Sequence, residues 1–235
     1  MATETWKGVV GMKPLPWSHS SIESHETCAR KFEAEKVLRE VQDVKNEASL
    51  WGDEVHKTFE QYLNQNGQME LPAAMQHYKP YVDQYLGRPG ILLVEQKLAI
   101  TKELKPCSFF DNNVVWARGI IDVLQIHNNI AFVDDHKTGK RKFNAQQLII
   151  FALLVFYHYP QVTACHTSYR WLQTGERDDE TYYRHQIPWL WEQLIPKLER
   201  YAKSFHIGTF NPRPSGLCKK HCAVDTCEYW GRGTR

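Results

Sequence analysis

The chain lacks an apolar run long enough to cross a bilayer. The longest, Leu148 to Tyr157, falls well short of the roughly 20 residues a membrane helix needs. It also lacks a dominant charge: 29 Lys and Arg stand against 27 Asp and Glu, a net charge of +2. Any surface that holds a polyanion must therefore be a local patch rather than a field of the whole protein. No internal repeat or low-complexity tract is present, which excludes a solenoid or a linker. The 42% hydrophobic and 12% aromatic content excludes general disorder. No glycine-rich fingerprint for a nicotinamide or flavin appears. Residues Met1 to Gly11 carry neither a basic n-region nor an apolar h-region, so the expectation is a protein that is not secreted. Six cysteines in that setting read as thiols or metal ligands rather than as a disulfide framework. At 235 residues, one domain with insertions is the natural expectation.

The most informative stretch is Gly119 to Lys137, two β-branched and aromatic runs joined by Asn128-Asn129. Asn-Asn tolerates the positive φ of a two-residue turn, so the stretch reads as a hairpin. A hairpin centred there sets His127 opposite Ile130 and Asp122 opposite Asp135. Opposed residues share a face, so Lys137 joins Asp135, while Asp134 and His136 point the other way and Asp134 is expected to matter little. Two carboxylates about 5 Å apart repel by roughly 3 kcal/mol at an effective dielectric of about 20. A divalent cation bridging them would offset that cost, and a lysine beside it would polarise water or steady developing negative charge. The hairpin alone is equally compatible with solvated aspartates and a salt-bridging lysine.

Around it the pattern predicts an irregular lead-in over residues 1–17, a helix capped by Ser20 or Ser21, and a helix over Ala48 to Asn64. A further helix follows over Ala73 to Leu86, then a strand over Ile91 to Ile100 with Leu92, Val94, Leu98 and Ile100 on one face and Glu95 on the other. Asn144 to Tyr159 reads as a buried helix. Val162 to Leu172 and Thr181 to Ile187 read as strands around a charged turn, and Trp189 to Phe205 as an amphipathic helix. Cys107 and Cys165 receive no role.

Asp122 followed by Asp135-His136-Lys137 resembles the PD-(D/E)XK nuclease superfamily, with Ile121 where that family usually carries proline. Val-Asp-Asp-His-Lys-Thr-Gly139 is similar to the "D-x-K-T-G" form of its RecB-like branch, which includes CRISPR-adaptation-type and phage-encoded exonucleases. Three further segments resemble that branch: His25-Glu-Thr-Cys-Ala-Arg-Lys-Phe32, Gly52-Asp-Glu-Val-His56, and Gln147-Leu-Ile-Ile-Phe-Ala152, where Phe151 replaces a tyrosine. The resemblance implies Mg²⁺ or Mn²⁺ held by His56, Asp122 and Asp135, with Lys137 activating water, Gln147 reaching the active-site groups and Glu95 as an accessory acid. Lys140, Arg141 and Lys142, directly after the hairpin, would hold a DNA backbone without reading sequence.

The tail carries Cys218, Cys222 and Cys227 in a Cys-x3-Cys-x4-Cys array, one ligand short of a tetrahedral metal or a cubane cluster. Cys28 can complete it, and one early cysteine plus three late ones is the layout of the iron-sulfur members of the branch. The expectation is a structural [4Fe-4S] cluster, with zinc as the alternative and His25 or His221 able to replace one thiolate.

Together these segments imply an α/β protein with a restriction-endonuclease-like core, a mixed central sheet flanked by helices. The expected organisation is a single nuclease domain over 1–235, with a helical part (18–88), a catalytic core (91–187) and a C-terminal helix with cysteine-rich tail (188–235). The implied function is metal-dependent hydrolysis of DNA phosphodiesters, most simply from DNA ends, single- or double-stranded. It would act in the cytoplasm, the host's if the chain is phage-encoded, alongside recombination or replication proteins and away from membranes. Two rival readings are a nuclease-like clamp that binds DNA without cutting and a redox-sensing iron-sulfur protein. Intact Asp122, Asp135 and Lys137 weigh against the first, and a carboxylate hairpin without purpose weighs against the second.

Overall fold

The computed structural model describes residues 13–42, 46–219 and 221–232. The expected lead-in therefore lies, for residues 1–12, outside the described residues. In chain order the elements are α1 (His19–Thr27), α2 (Ala29–Phe32), α3 (Glu47–Asn64), α4 (Lys79–Gly87), β1 (Ile91–Ile100), β2 (Ala117–His127), β3 (Ile130–Lys137), α5 (Ala145–His158), β4 (Ala164–Trp171), β5 (Glu176–Tyr183) and α6 (Ile187–Ile207). They fall into two compact units, Met1–Val44 with Trp191–Arg235, and Lys45–Leu190. Among the described residues no helix is long and apolar enough to cross a membrane.

In the first unit, Ser18 rather than Ser20 or Ser21 caps α1. Its hydroxyl accepts the Ser21 N–H at 3.3 Å while the Ser21 hydroxyl accepts the Ser18 N–H at 2.8 Å, a reciprocal box that satisfies two otherwise orphaned donors. The unit's core is a cluster of edge-on and tilted rings, Phe32, Tyr201, Phe205 and Phe210. His25 is buried among them and its Nε2 bonds the Ser204 hydroxyl at 2.9 Å.

The second unit is built on a five-stranded sheet of order β1-β2-β3-β4-β5, antiparallel except for the parallel pair β3–β4. A parallel pair needs a crossover, and α5 supplies it. That helix is apolar nearly all round, with every residue from Leu148 to Phe156 buried. The other face is covered by Val55, Phe59, Tyr62 and Leu63 of α3, packed with Val82 and Tyr85 of α4 and Val123 of β2. Burying each such large apolar side chain contributes about 1.5–3 kcal/mol. Gly90 leads into β1 with φ +111, and a Cβ there would stand 2.3 Å from the Ile126 carbonyl oxygen, so this approach is open only to glycine.

The hairpin register is as the sequence predicts: His127 pairs with Ile130 and Val123 with Asp134, and Asn128 takes φ +53. The facing of β1 differs from expectation. Leu92 and Val94 pack on the α3–α4 cluster, whereas Gly119, the partner of Leu98, faces Phe151 and Leu154 of α5. Strict alternation would put Val94 and Leu98 on one side. It is broken between them at Glu95, which has φ +48 and is the only positive-φ residue in the strand. The last strand also begins earlier than expected, because the turn closes at Gly175 (φ +71) and the charged run Glu176 to Glu180 forms the edge strand β5 itself. An edge exposed to water has no need of an apolar face, and charges there deter pairing with other chains.

Candidate active site

Glu95 falls opposite Asp122, between the pairs Val94–Val123 and Gln96–Ile121, and Asp122 falls opposite Asp135, one step beyond Val123–Asp134. The register thus aligns three carboxylates across β1, β2 and β3, at a row where the ladder is interrupted and the pleat of β1 is broken. His56 reaches the row from α3, its Nδ1 3.2 Å from Asp122 Oδ2. One turn earlier, Gly52 lets α3 approach closely, since a Cβ there would stand 3.0 Å from the Thr138 hydroxyl. Ligand atoms of His56, Glu95 and Asp122 all lie within 4.8 Å of one another. Asp135 stands beside that trio rather than within it.

Asp135 is 3% exposed. Its Oδ1 accepts a hydrogen bond from Gln147 Nε2 at 2.8 Å, while its Oδ2 has the Lys137 ammonium at 2.5 Å and no hydrogen bond of ordinary geometry. Lys137 in turn donates to Gln147 Oε1 at 2.9 Å. A lysine can only donate and a carboxylate only accept, so the two neighbours fix which way the Gln147 amide points. The Tyr169 hydroxyl stands 3.3 Å from the same Oε1 and 2.8 Å from the Asn144 carbonyl, and the Tyr169 ring lies under Lys137 Nζ at 5.1 Å.

Behind the row, the His136 backbone N–H donates to Asp122 Oδ2 at 2.7 Å. The His136 ring is buried between Phe59 and Tyr85, with Nδ1 3.7 Å from Asp122 Oδ2 and Nε2 3.0 Å from the Tyr85 hydroxyl. Burial pushes the His136 imidazole down to about 4, so it is neutral. The carboxylate favours the proton on Nδ1, which leaves Nε2 to accept from Tyr85.

The row's electrostatics show crowding of negative charge. Burial would lower His56, but its bond to Asp122 and the charges of Asp122, Asp135 and Glu95 raise it to about 9. Burial and repulsion from Asp122 raise Glu95 to about 7. Burial, joined by repulsion from Asp122 and opposed by Lys137, raises Asp135 to about 6. Against its own burial, Asp122 is held below the ordinary carboxylate value by His56. Protons on His56 and Glu95 thus fill the place of a cation. This crowding of carboxylates, with Asp135 Oδ2 held only by the Lys137 ammonium, fits a hard divalent ion.

Asp134, expected to matter little, is 2% exposed and receives Arg88 Nη1 at 3.0 Å and Arg170 Nε at 2.5 Å. In the basic run, Arg141 is engaged by Glu176 at 3.0 Å and by Asp178, while Lys140 and Lys142 are exposed.

In the first unit, Cys28, Cys218, Cys222 and Cys227 line one small cavity with Arg30, Arg213 and Trp230. Backbone N–H groups of Arg213 and Ser215 approach Cys28 Sγ and Cys218 Sγ, each at 3.4 Å. No histidine is among the residues lining that cavity. Among the described residues, no three of these sulfurs lie mutually within 4.8 Å.

Sequence reasoning did not single out Tyr85, Arg88, His136, Tyr169 or Arg170. His136 sits within the Asp135-His136-Lys137 motif without a role of its own there, and Tyr85 and Arg88 lie on and just after α4. For His136, Tyr169 and Arg170 the available signal was that polar residues sit at inward positions of strands otherwise filled by apolar ones.

A family model of the PD-(D/E)XK nuclease superfamily matches residues 16–230, so the chain belongs to that superfamily. Its fold is similar to the crystal structure of a candidate exonuclease from Eubacterium rectale, with 14% identity over 89% of this chain and 88% of that one and a TM-score of 0.53. A second likeness is to the crystal structure of SSO0001, with 14% identity over 97% of this chain and 91% of that one and a TM-score of 0.46. No curated protein matches the chain by sequence.

Proposed function

We propose that this chain is a metal-dependent deoxyribonuclease that degrades DNA from its ends, and that a [4Fe-4S] cluster on Cys28, Cys218, Cys222 and Cys227 is structural. The observation that carries the nuclease reading is the row Glu95–Asp122–Asp135 with His56 at one end and Lys137–Gln147 at the other. Mg²⁺ or Mn²⁺ held by His56, Asp122 and Asp135, with Glu95 alongside, would polarise a phosphoryl oxygen and generate a nucleophile from water at neutral pH. Lys137 is a fixed positive charge where phosphate charge develops, and Gln147 holds it there. Asp135 keeps one oxygen on Gln147 and the other beside the Lys137 ammonium. His136, held by Tyr85, orients Asp122 from behind. Lys140 and Lys142 provide backbone contacts, whereas Arg141 is already committed to β5.

The layout of one early cysteine and three late ones supports a cluster over zinc. Protein purified without oxygen should be brown with about four irons per chain, and Cys28→Ser should lower iron content and thermal stability together. Colourless protein carrying stoichiometric zinc would contradict the cluster. The nuclease reading is tested by incubating end-labelled linear DNA and closed circular DNA with the protein in Mg²⁺, Mn²⁺ or EDTA. Metal-dependent loss of the linear form alone is expected. Equal attack on circles would replace the end-directed reading with an endonuclease, and cleavage in EDTA would refute the metal site.

A further inference from the structure

A second cavity, of about 420 Å³, opens on the sheet face opposite Lys137 and Gln147, over β3, β4 and β5. That volume is within the roughly 300–1,000 Å³ range of small-molecule sites. Arg88, Arg170 and Arg177 line it together with Asp134 and Asp179. Arg88 and Arg170 share the single carboxylate of Asp134, and Arg177 Nε is on Asp179. Three guanidiniums thus face two carboxylates. The remaining nitrogens of each make no hydrogen bond to any described residue, and a guanidinium carries five N–H donors in a fixed fork suited to phosphate.

The other end of the cavity is made of rings. Phe132 and His166, paired across β3 and β4, stack at 5.1 Å with planes 23° apart, and Thr181 fixes the imidazole through a 2.8 Å bond to Nδ1. His166 and Arg170 lie four residues apart on one strand, about 13 Å along it, a gap that the arginine side chain shortens. The cavity therefore offers a stacking edge at one end and unspent phosphate donors at the other.

We propose that this cavity binds a nucleotide, with the base against Phe132 and His166 and the phosphate on the Arg170–Arg177–Arg88 fork, at a site distinct from the metal row. The phosphate could belong to a free nucleotide or to a strand crossing the back of the sheet, since the recognising chemistry is the same.

Isothermal titration of the full chain with dAMP in EDTA tests this without any contribution from the metal. Wild-type protein should bind dAMP at millimolar concentrations or below, and deoxyadenosine at least about tenfold more weakly. Arg177→Ala and Phe132→Ala should each weaken dAMP by about tenfold or more, and Lys137→Ala should leave it unchanged. The Arg177 side chain is 57% exposed, so its removal leaves folding intact should Phe132→Ala fail to fold. Competition by a short oligothymidylate would assign the phosphate to a strand, and dAMP binding that such an oligomer fails to displace would assign it to a free nucleotide. Absence of dAMP binding, or binding that survives Arg177→Ala and is lost in Lys137→Ala, would overturn the site. Metal-dependent DNA cleavage stands or falls separately.

Discussion

Asp134 and Asp135 are neighbours in the chain, equally buried, and opposite in fate. The first has both oxygens taken by guanidiniums. The second has one oxygen on an amide and the other beside the Lys137 ammonium. Alternation along β3 sends them to different faces, and the elements on each face decide what surrounds each carboxylate: Arg88 and Arg170 enclose one, while Gln147 and Lys137 hold the other beside His56, Glu95 and Asp122, where the proposed ion would sit. A carboxylate's role thus follows from what opposes it, and burial alone does not distinguish the two.

Substitutions sharpen this contrast. The largest effect is expected from Asp135→Ala, Asp122→Ala and Lys137→Ala, each lowering the cleavage rate by about a thousandfold or more with the fold retained, because each removes ligand or charge at the reacting phosphate. Rates on end-labelled DNA and circular dichroism on the same preparations would check both halves. Asp134→Ala should give the reverse pattern. Two partly buried guanidiniums would lose their common partner, costing about 3 kcal/mol of stability, while cleavage per folded molecule persists. Denaturant titration measures the first and active-site-normalised rates the second. Were Asp134→Ala to abolish cleavage at full stability, the assignment of faces would be wrong.

A smaller effect should follow from Tyr85→Phe. Losing the hydroxyl frees the His136 tautomer and loosens the support behind Asp122, weakening divalent-ion affinity by about tenfold, with the nitrogen chemical shifts of His136 moving as the Nδ1–H form loses its preference. Neutralising Lys140 and Lys142 should flatten the salt dependence of DNA binding by about one unit of slope per lysine, with Arg141→Ala having less effect because Asp178 and Glu176 already hold it.

The hairpin register was legible because its signals are local: two asparagines for the turn and a β-branched and aromatic run on either side. That arithmetic also aligned Asp122 with Asp135. Glu95 was placed on the right strand, yet its backbone could not be anticipated, because no local pattern requires an acidic residue at φ +48; the row it completes is made by three strands together. The arginines of Asp134 were illegible for the same reason, since Arg88 follows α4 and Arg170 lies on β4, and neither position has meaning until the sheet assembles. Tyr169, which touches Gln147 from β4, was illegible on the same ground. For β5, charged composition was read as turn where water-facing edge was the better physical account.

The central claim is that the carboxylate row holds a divalent ion, and the most direct test is calorimetric titration of Mn²⁺ into wild-type protein across pH 6 to 9. The ion must displace protons from Glu95, raised to about 7, and from His56, raised to about 9. Both are proton-loaded at pH 6 and progressively released above it, so affinity should rise with pH and binding should release protons, which buffers of different ionisation enthalpy would reveal. Asp135→Ala should weaken this binding severely, and folded Asp134→Ala should retain it. Binding of equal strength at pH 6 and 9, or undiminished in Asp135→Ala, would contradict the account.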